Sequence, residues 1–363
     1  MSNATVPAKT PGTPDAPKAP STLSAARLPR WAPWAIAVGS IAAGCAIGLG
    51  AGLTSRVQWG LLAALLFVVV SYALAAKVEG RRQAKDRLAT SVVWVAFILA
   101  VVPLASLVYE TIARGIKVLD PYFLSHSMGF VTSYQEGGGI YHAILGTLEQ
   151  VGIATVISVP IGILTAIYLV EYGRGKLAKA VTFFVDVMTG IPSIVAGLFI
   201  LSFWILILGF GFSGFAGSMA LAILMIPVVV RSTEEMLKLV PNELREASLA
   251  LGIPKWRTIL KVVLPTSIGG ITTGVMLAVA RIAGETAPVL LLVFGNPLIN
   301  GNPFEGPQAS LPLYIYQQYA SSGGSQAAYD RAWAAALVLI AFIMILNLAA
   351  RGVARWKAPK AGR

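Results

Sequence analysis

Apolar runs of about twenty residues recur along the whole chain, and most of the charge lies in the stretches between them. A helix needs roughly twenty such residues to cross the hydrocarbon core of a bilayer. Inside that core only helices and closed barrels satisfy their own backbone groups. The runs fall at residues 31–54, 57–76, 88–109, 143–170, 181–208, 218–230, 266–293 and 332–350. They predict an all-α, polytopic membrane protein with about eight transmembrane helices.

Composition and charge placement support the count. Only 12% of the 363 residues are charged, against about 25% in soluble domains, and the mean hydropathy is +0.74. The net charge of +12 sits in alternate loops and both tails. Lys77, Arg81, Arg82, Lys85 and Arg87 fill one loop, and Arg351, Arg355, Lys357, Lys360 and Arg363 close the chain. This is a positive-inside bias. It predicts a multi-pass protein of the cell membrane with both termini cytoplasmic and lipid as its surroundings. The basic charge therefore points to no nucleic-acid partner. Cys45 is the only cysteine, so no disulfide forms within the chain, and His126 and His142 are too far apart to suggest a paired metal site.

Residues 1–30 are rich in Pro, Ala, Ser and Thr and read as a disordered cytoplasmic tail. The first two apolar runs form an extra hairpin that, with its basic loop, occupies 31–87. Gly137-Gly138-Gly139 reads as a flexible elbow rather than a phosphate cradle, because no Lys or Ser/Thr follows it. Gly175-Lys176 fails as a nucleotide loop: the positions that need Gly and Ser/Thr hold Val170 and Leu177. The fifth run is interrupted by Gly190-Ile191-Pro192-Ser193, where the helix should kink or split. Ser193 would then cap a new half-helix with free N–H groups; a plain packing kink is the other reading.

The stretch from Glu246 to Pro288 constrains function most. Leu244, Ala247, Ser248 and Leu251 share one helical face, with Asn242 as expected N-cap. Gly252 should end this helix in a left-handed turn, and Pro254 should begin the next. Small Ala247 and Ser248 would let a partner surface approach, with Arg245 and Glu246 as charged contacts. The residues alone fit a cytoplasmic docking element or an interfacial helix. Further on, Arg281 and Glu285 lie inside an apolar run, where each charge costs about 2.5–3.5 kcal/mol on insertion scales. Three arrangements are open: an i, i+4 pair between the two, a pair of Arg281 with Asp186, or an Arg left to meet an oxyanion. Guanidinium suits the last because its planar fork matches phosphate. Arg231 and Glu234, at i and i+3, repeat the pattern near a helix end.

Glu246-Ala247-Ser248, then Gly252, then Val262-x-Leu264-Pro265 resembles the EAA loop of permease subunits of binding-protein-dependent ABC importers, with Ser248 and Val262 as mild departures. The segments 227–241, 244–256 and 280–288, together with Ile167-Tyr-Leu-x-Glu-Tyr-Gly173 and Pro192-Ser-Ile-Val-x-Gly-Leu198, resemble the A-type permease of the phosphate importer, the PstA family. The likeness covers about residues 88–350; the first hairpin departs from it.

The resemblance implies a type I ABC importer permease (MetI-like) core over 88–350. Its transport domain would occupy about 142–350, with a cytoplasmic coupling loop at 231–264 and a basic tail at 351–363. It implies passage of inorganic phosphate past Arg231, Glu234 and Arg281; Glu285, Ser193 and Asp186 join the candidate path on residue type and position alone. The ATPase would couple through Arg245, Glu246, Ala247, Ser248, Gly252 and Trp256. The implied partners are a second permease, two ATP-binding subunits and an extracytoplasmic phosphate-binding protein. ATP would sit on the partner ATPase, with no cofactor on this chain and no catalytic residue. Rivals are the paired permease or one for another oxyanion, and a secondary transporter. The last often carries an inverted repeat, and none is visible.

Overall fold

The computed structural model describes residues 28–320 and 323–357. Most of the expected tail at 1–30 and the end of the tail at 351–363 lie outside the described residues. The chain divides into two compact units, residues 1–106 and 107–363.

The N-terminal unit contains helix α1 (Ala32–Gly50), α2 (Arg56–Val78) and the first part of α3 (Arg81–Gly115). The hairpin closes on small residues. Ser40, Gly44 and Gly48 form the buried stripe of α1, a spacing that lets membrane helices approach closely. A Cβ on Gly44 would stand 2.9 Å from that of Ala63, and one on Gly48 2.4 Å from the Trp59 ring. The Trp59 indole N–H donates to Leu53 O at 3.0 Å and ties down the turn. At the basic end, Arg87 pairs with Glu79 at 2.6 Å. Helix α3 starts seven residues before the apolar run at 88, because nothing after Gly80 breaks a helix and Arg, Gln, Ala and Lys favour one.

The C-terminal unit continues with α4 (Pro121–Ser125), α5 (Tyr141–Ile167), α6 (Gly175–Thr189), α7 (Ser193–Ile200), α8 (Gly214–Lys238), α9 (Asn242–Ala250) and α10 (Lys255–Thr258). It ends with α11 (Leu264–Ala283), α12 (Ala287–Leu292), α13 (Leu311–Ala320) and α14 (Gln326–Lys357). Helix α8 is its axis and packs against α5, α7, α11 and α12. Ala216, Ala220, Leu221, Met225 and Val229 of α8 are buried among Val151, Ala154, Ala278 and Ile282. Two thirds of its apolar window (67%) is buried, against 6% for α3. Both are apolar enough to span, so α3 leaves its apolar surface to lipid or to another chain.

Among the described residues seven helices are long and apolar enough to cross a membrane, or eight if α6 and α7 make one broken span. That pair bends by 107° at the expected Gly-Ile-Pro break. The fold is thus the all-α, polytopic one the sequence predicts, with changes of boundary beyond that at α3. Helix α8 continues past Val230 to Lys238, so Arg231 and Glu234 lie within it. Helix α11 stops at Ala283, where Gly284 ends it, and α12 restarts after Thr286. The last helix begins at Gln326 rather than near Ala332.

The triple glycine is not a free elbow. Arg331 of α14 is 2% exposed, and its guanidinium donates to Ser133 O at 2.9 Å, Gln135 O at 2.6 Å and Gly137 O at 3.1 Å. It also donates to Gln318 Oε1 of α13 at 3.0 Å. A Cβ on Gly139 would fall 2.2 Å from His126 O, so the segment is clamped against α4 as well.

Candidate translocation path and docking loop

Helices α8 and α11 run antiparallel in close contact. A Cβ on Gly274 would lie 2.6 Å from Ser232 Oγ, and one on Gly270 2.2 Å from Met236 Sδ. Continuing that register sets Arg281 level with Met225, which Thr155 of α5 reaches at 4.0 Å. Thr155 is near the middle of its span, so Arg281, in the last turn of α11, is level with the middle of α5. Arg231 is about 9 Å further along the α8 axis, toward the docking loop, at 1.5 Å per residue.

Arg231 is doubly engaged. It donates to Glu234 Oε2 at 2.6 Å and to Asp186 of α6. Glu234 also accepts from Lys238 at 2.6 Å. The two carboxylates differ in setting: the Glu234 side chain is 11% exposed, that of Asp186 61%. Glu234 is thus the inner partner that orients the guanidinium, and Asp186 an outer one that water or another anion can replace.

Neither expected partner of Arg281 is found. Asp186 is taken by Arg231, and Glu285 lies beyond the helix end at Gly284, so the i, i+4 geometry does not exist. Among the described residues Arg281 and Glu285 make no side-chain hydrogen bond or ion pair. Arg281 is exposed, on a stripe with Thr266, Thr273 and Leu277, opposite the buried Ile271, Gly274, Ala278 and Ile282. An exposed cation at that depth needs a polar counterpart beyond the described residues. Ser193 is half-buried at the start of α7, but it does not cap it: Pro192 is the N-cap, with no side-chain bond.

The docking loop folds as two short helices. Gly252 has φ +75°, the left-handed turn expected of it. Asn242 is the first helical residue of α9 rather than its cap, which is Pro241. Ser248 faces inward: its hydroxyl meets Thr258 Oγ1 at 2.8 Å and locks α9 to α10. Arg245 also turns inward. It donates to Leu237 O at 2.8 Å and Val240 O at 2.5 Å, capping α8, and to Glu171 Oε1 at 3.0 Å. Lys255 donates to Glu171 O and stands 4.9 Å over the Tyr172 ring. Glu246, Ala247, Leu249, Leu251 and Trp256 remain exposed. Of the six expected docking residues, Glu246, Ala247, Gly252 and Trp256 therefore lie on the open surface, and Arg245 and Ser248 hold the loop to the membrane helices.

Sequence reasoning alone misses Glu171, Lys238 and Arg331. The motif at 167–173 was the signal for Glu171. Its carboxylate and carbonyl receive the docking loop, and a Cβ on Gly173 would fall 2.6 Å from Leu169 O.

A helical membrane core with a line of charges along its central helix and an exposed, rigidly anchored loop defines a multi-pass membrane permease. Residues 158–363 match the family described as binding-protein-dependent transport system inner membrane component. The chain is 50% identical over 271 residues to phosphate transport system permease protein PstA 1 of Mycobacterium tuberculosis, covering 74% of this chain and 88% of that protein. It is 40% identical over 272 residues to PstA of Pasteurella multocida, covering 74% and 94%. A bacterial alginate ABC transporter in complex with an alginate-bound periplasmic protein has a similar fold, with a TM-score of 0.54 at 17% identity over 77% of this chain and 97% of that one. The chain belongs to the binding-protein-dependent transport system inner membrane components and, within them, to the PstA phosphate permeases.

Proposed function

We infer that this chain is a transmembrane permease subunit of an ATP-driven importer, and that inorganic phosphate crosses the membrane along it. The observation that carries the path is Arg281: a guanidinium level with the middle of α5, exposed and without a partner among the described residues. Arg231 is a second cation about 9 Å further along, held by Glu234 and screened by Asp186. A phosphate leaving Arg281 meets a guanidinium already oriented for bidentate contact. Displacing the exposed Asp186 frees the fork without removing its buried support. Glu285 and Ser193 stand at the flanking helix breaks as further polar contacts.

Glu246, Ala247, Gly252 and Trp256 present the surface on which an ATP-binding subunit docks, two such subunits serving this chain and a second permease. Arg245 passes its push to α8 and α5, because it bonds the end of one and the carboxylate following the other. Phosphate arrives from an extracytoplasmic binding protein, both termini lie in the cytoplasm, and the nucleotide stays on the ATPase. The N-terminal hairpin at 31–87 is an addition to the core at 88–350.

The test is ATP-dependent phosphate uptake in vesicles holding the full complex. Arg281→Ala should lower uptake about tenfold or more with the ATPase still assembled, and Glu246→Ala should lose ATPase association. Normal uptake by Arg281→Ala would overturn the path.

A further inference from the structure

Two cavities open on the N-terminal unit, and Leu28 and Ile36 line both. The larger, about 1060 Å³, lies at the basic end of the hairpin, where Arg82, Lys85, Ser71 and Ser91 share its wall with Phe67 and Trp94. The smaller, about 490 Å³, is almost wholly apolar and runs between Ala35, Gly39 and Ala43 of α1 and Leu66, Val70 and Leu74 of α2. A charged chamber thus adjoins a greasy groove.

The chamber is polar in a way the chain does not itself use. Arg87 is satisfied by Glu79. Arg82 and Lys85 are exposed and make no ion pair among the described residues, and neither does Asp86 on the same wall. Ser71 and Ser91 are 6% and 7% exposed, and neither hydroxyl makes a hydrogen bond among the described residues. The chamber wall carries Arg82, Lys85 and Arg87 against Glu79 and Asp86, so with Arg87 and Glu79 paired it keeps a net positive charge and favours an anion.

The groove fixes what kind of anion. From Ala32 to Ala43 α1 advances roughly 16 Å, about half of a hydrocarbon core of roughly 30 Å. It stops there because the next residue, Gly44, closes on Ala63. An acyl chain in one leaflet needs that depth and no more. A partner's spanning helix would need a groove along the whole hairpin, and free phosphate would need no groove.

We propose that the N-terminal unit binds one anionic phospholipid. Its headgroup phosphate sits on Arg82 and Lys85, its polar linkage beside Ser71 and Ser91, and one acyl chain in the groove past Gly39. Basic pockets between membrane helices at the positive end suit acidic headgroups.

The test is native mass spectrometry of the full transporter complex in mild detergent, titrated with phosphatidylglycerol or phosphatidylcholine. Wild type should bind one phosphatidylglycerol per copy of this chain in preference to phosphatidylcholine. The Arg82→Gln/Lys85→Gln double variant should bind it about 30-fold more weakly, the contribution of two charges near an anionic surface. Gly39→Phe puts a ring into the groove from a position whose Cβ has nothing within 4 Å. It should also lose the lipid with the charges intact. Equal binding of the two lipids, unchanged binding by either variant, displacement of the lipid by inorganic phosphate, or a co-purifying polypeptide in its place would each overturn the proposal.

Discussion

Arg331 and Arg281 are both guanidinium groups in apolar helices without a carboxylate, and they differ in everything else. Arg331 is enclosed, with four hydrogen bonds to three backbone carbonyls and a Gln. Arg281 is exposed and its side chain bonds to nothing among the described residues. A charge that folding satisfies completely is part of the scaffold. A charge that folding leaves open in a membrane needs a second molecule to satisfy it. Arg231 stands between the two, with one buried partner and one exposed.

Replacing Arg331 should break the scaffold side of this contrast. Arg331→Met leaves three carbonyls and Gln318 without their donor and should destabilise the complex by about 3–5 kcal/mol, read as a lowered melting temperature in detergent. Arg331→Lys should not restore it, because an ammonium lacks the fork that spans the three carbonyls. If Arg331→Met melts like wild type, the enclosed guanidinium is not a scaffold element.

The open side should respond the other way. Arg281→Ala should melt like wild type and lower phosphate uptake about tenfold or more, the loss of one charge-assisted contact. A falling melting temperature with uptake preserved would reverse the assignment of the two arginines.

Asp186→Asn sharpens the intermediate case. Removing the exposed competitor should leave Arg231 on Glu234 and lower the phosphate concentration for half-maximal uptake about two- to fivefold, the size of an exposed ion pair. A raised half-maximal concentration would make Asp186 a support rather than a screen.

The smallest effect is expected in the docking loop. Ser248→Ala should cost about 1 kcal/mol through the hydroxyl of Thr258 left unpaired. It should weaken coupling of ATP hydrolysis to uptake more than ATPase binding itself. Lost binding with coupling intact would put Ser248 on the docking surface.

Much of this was legible before folding. The spans, the break before Ser193 and the turn at Gly252 follow from local chemistry: apolar length, a missing proline donor and a residue free to adopt positive φ. The side chains of the site were harder to read. Arg245 looks like a surface cation in the sequence, yet its partners are a carboxylate 74 residues away and the carbonyls that end α8. Ser248 looks like a small residue for close approach, yet Thr258 needs it. Arg281 and Glu285 have the spacing of a pair, and Gly284 ends the helix between them.

The sequence by itself determined that the chain spans a membrane as helices, where those helices lie, and which segments resemble a phosphate permease. Hydropathy, helix breakers and short motifs act over a few residues and need no third dimension. Only the tertiary structure decided which charge answers which. Partner choice depends on which distant carboxylates and carbonyls packing brings within hydrogen-bond reach, and spacing along the chain does not encode that.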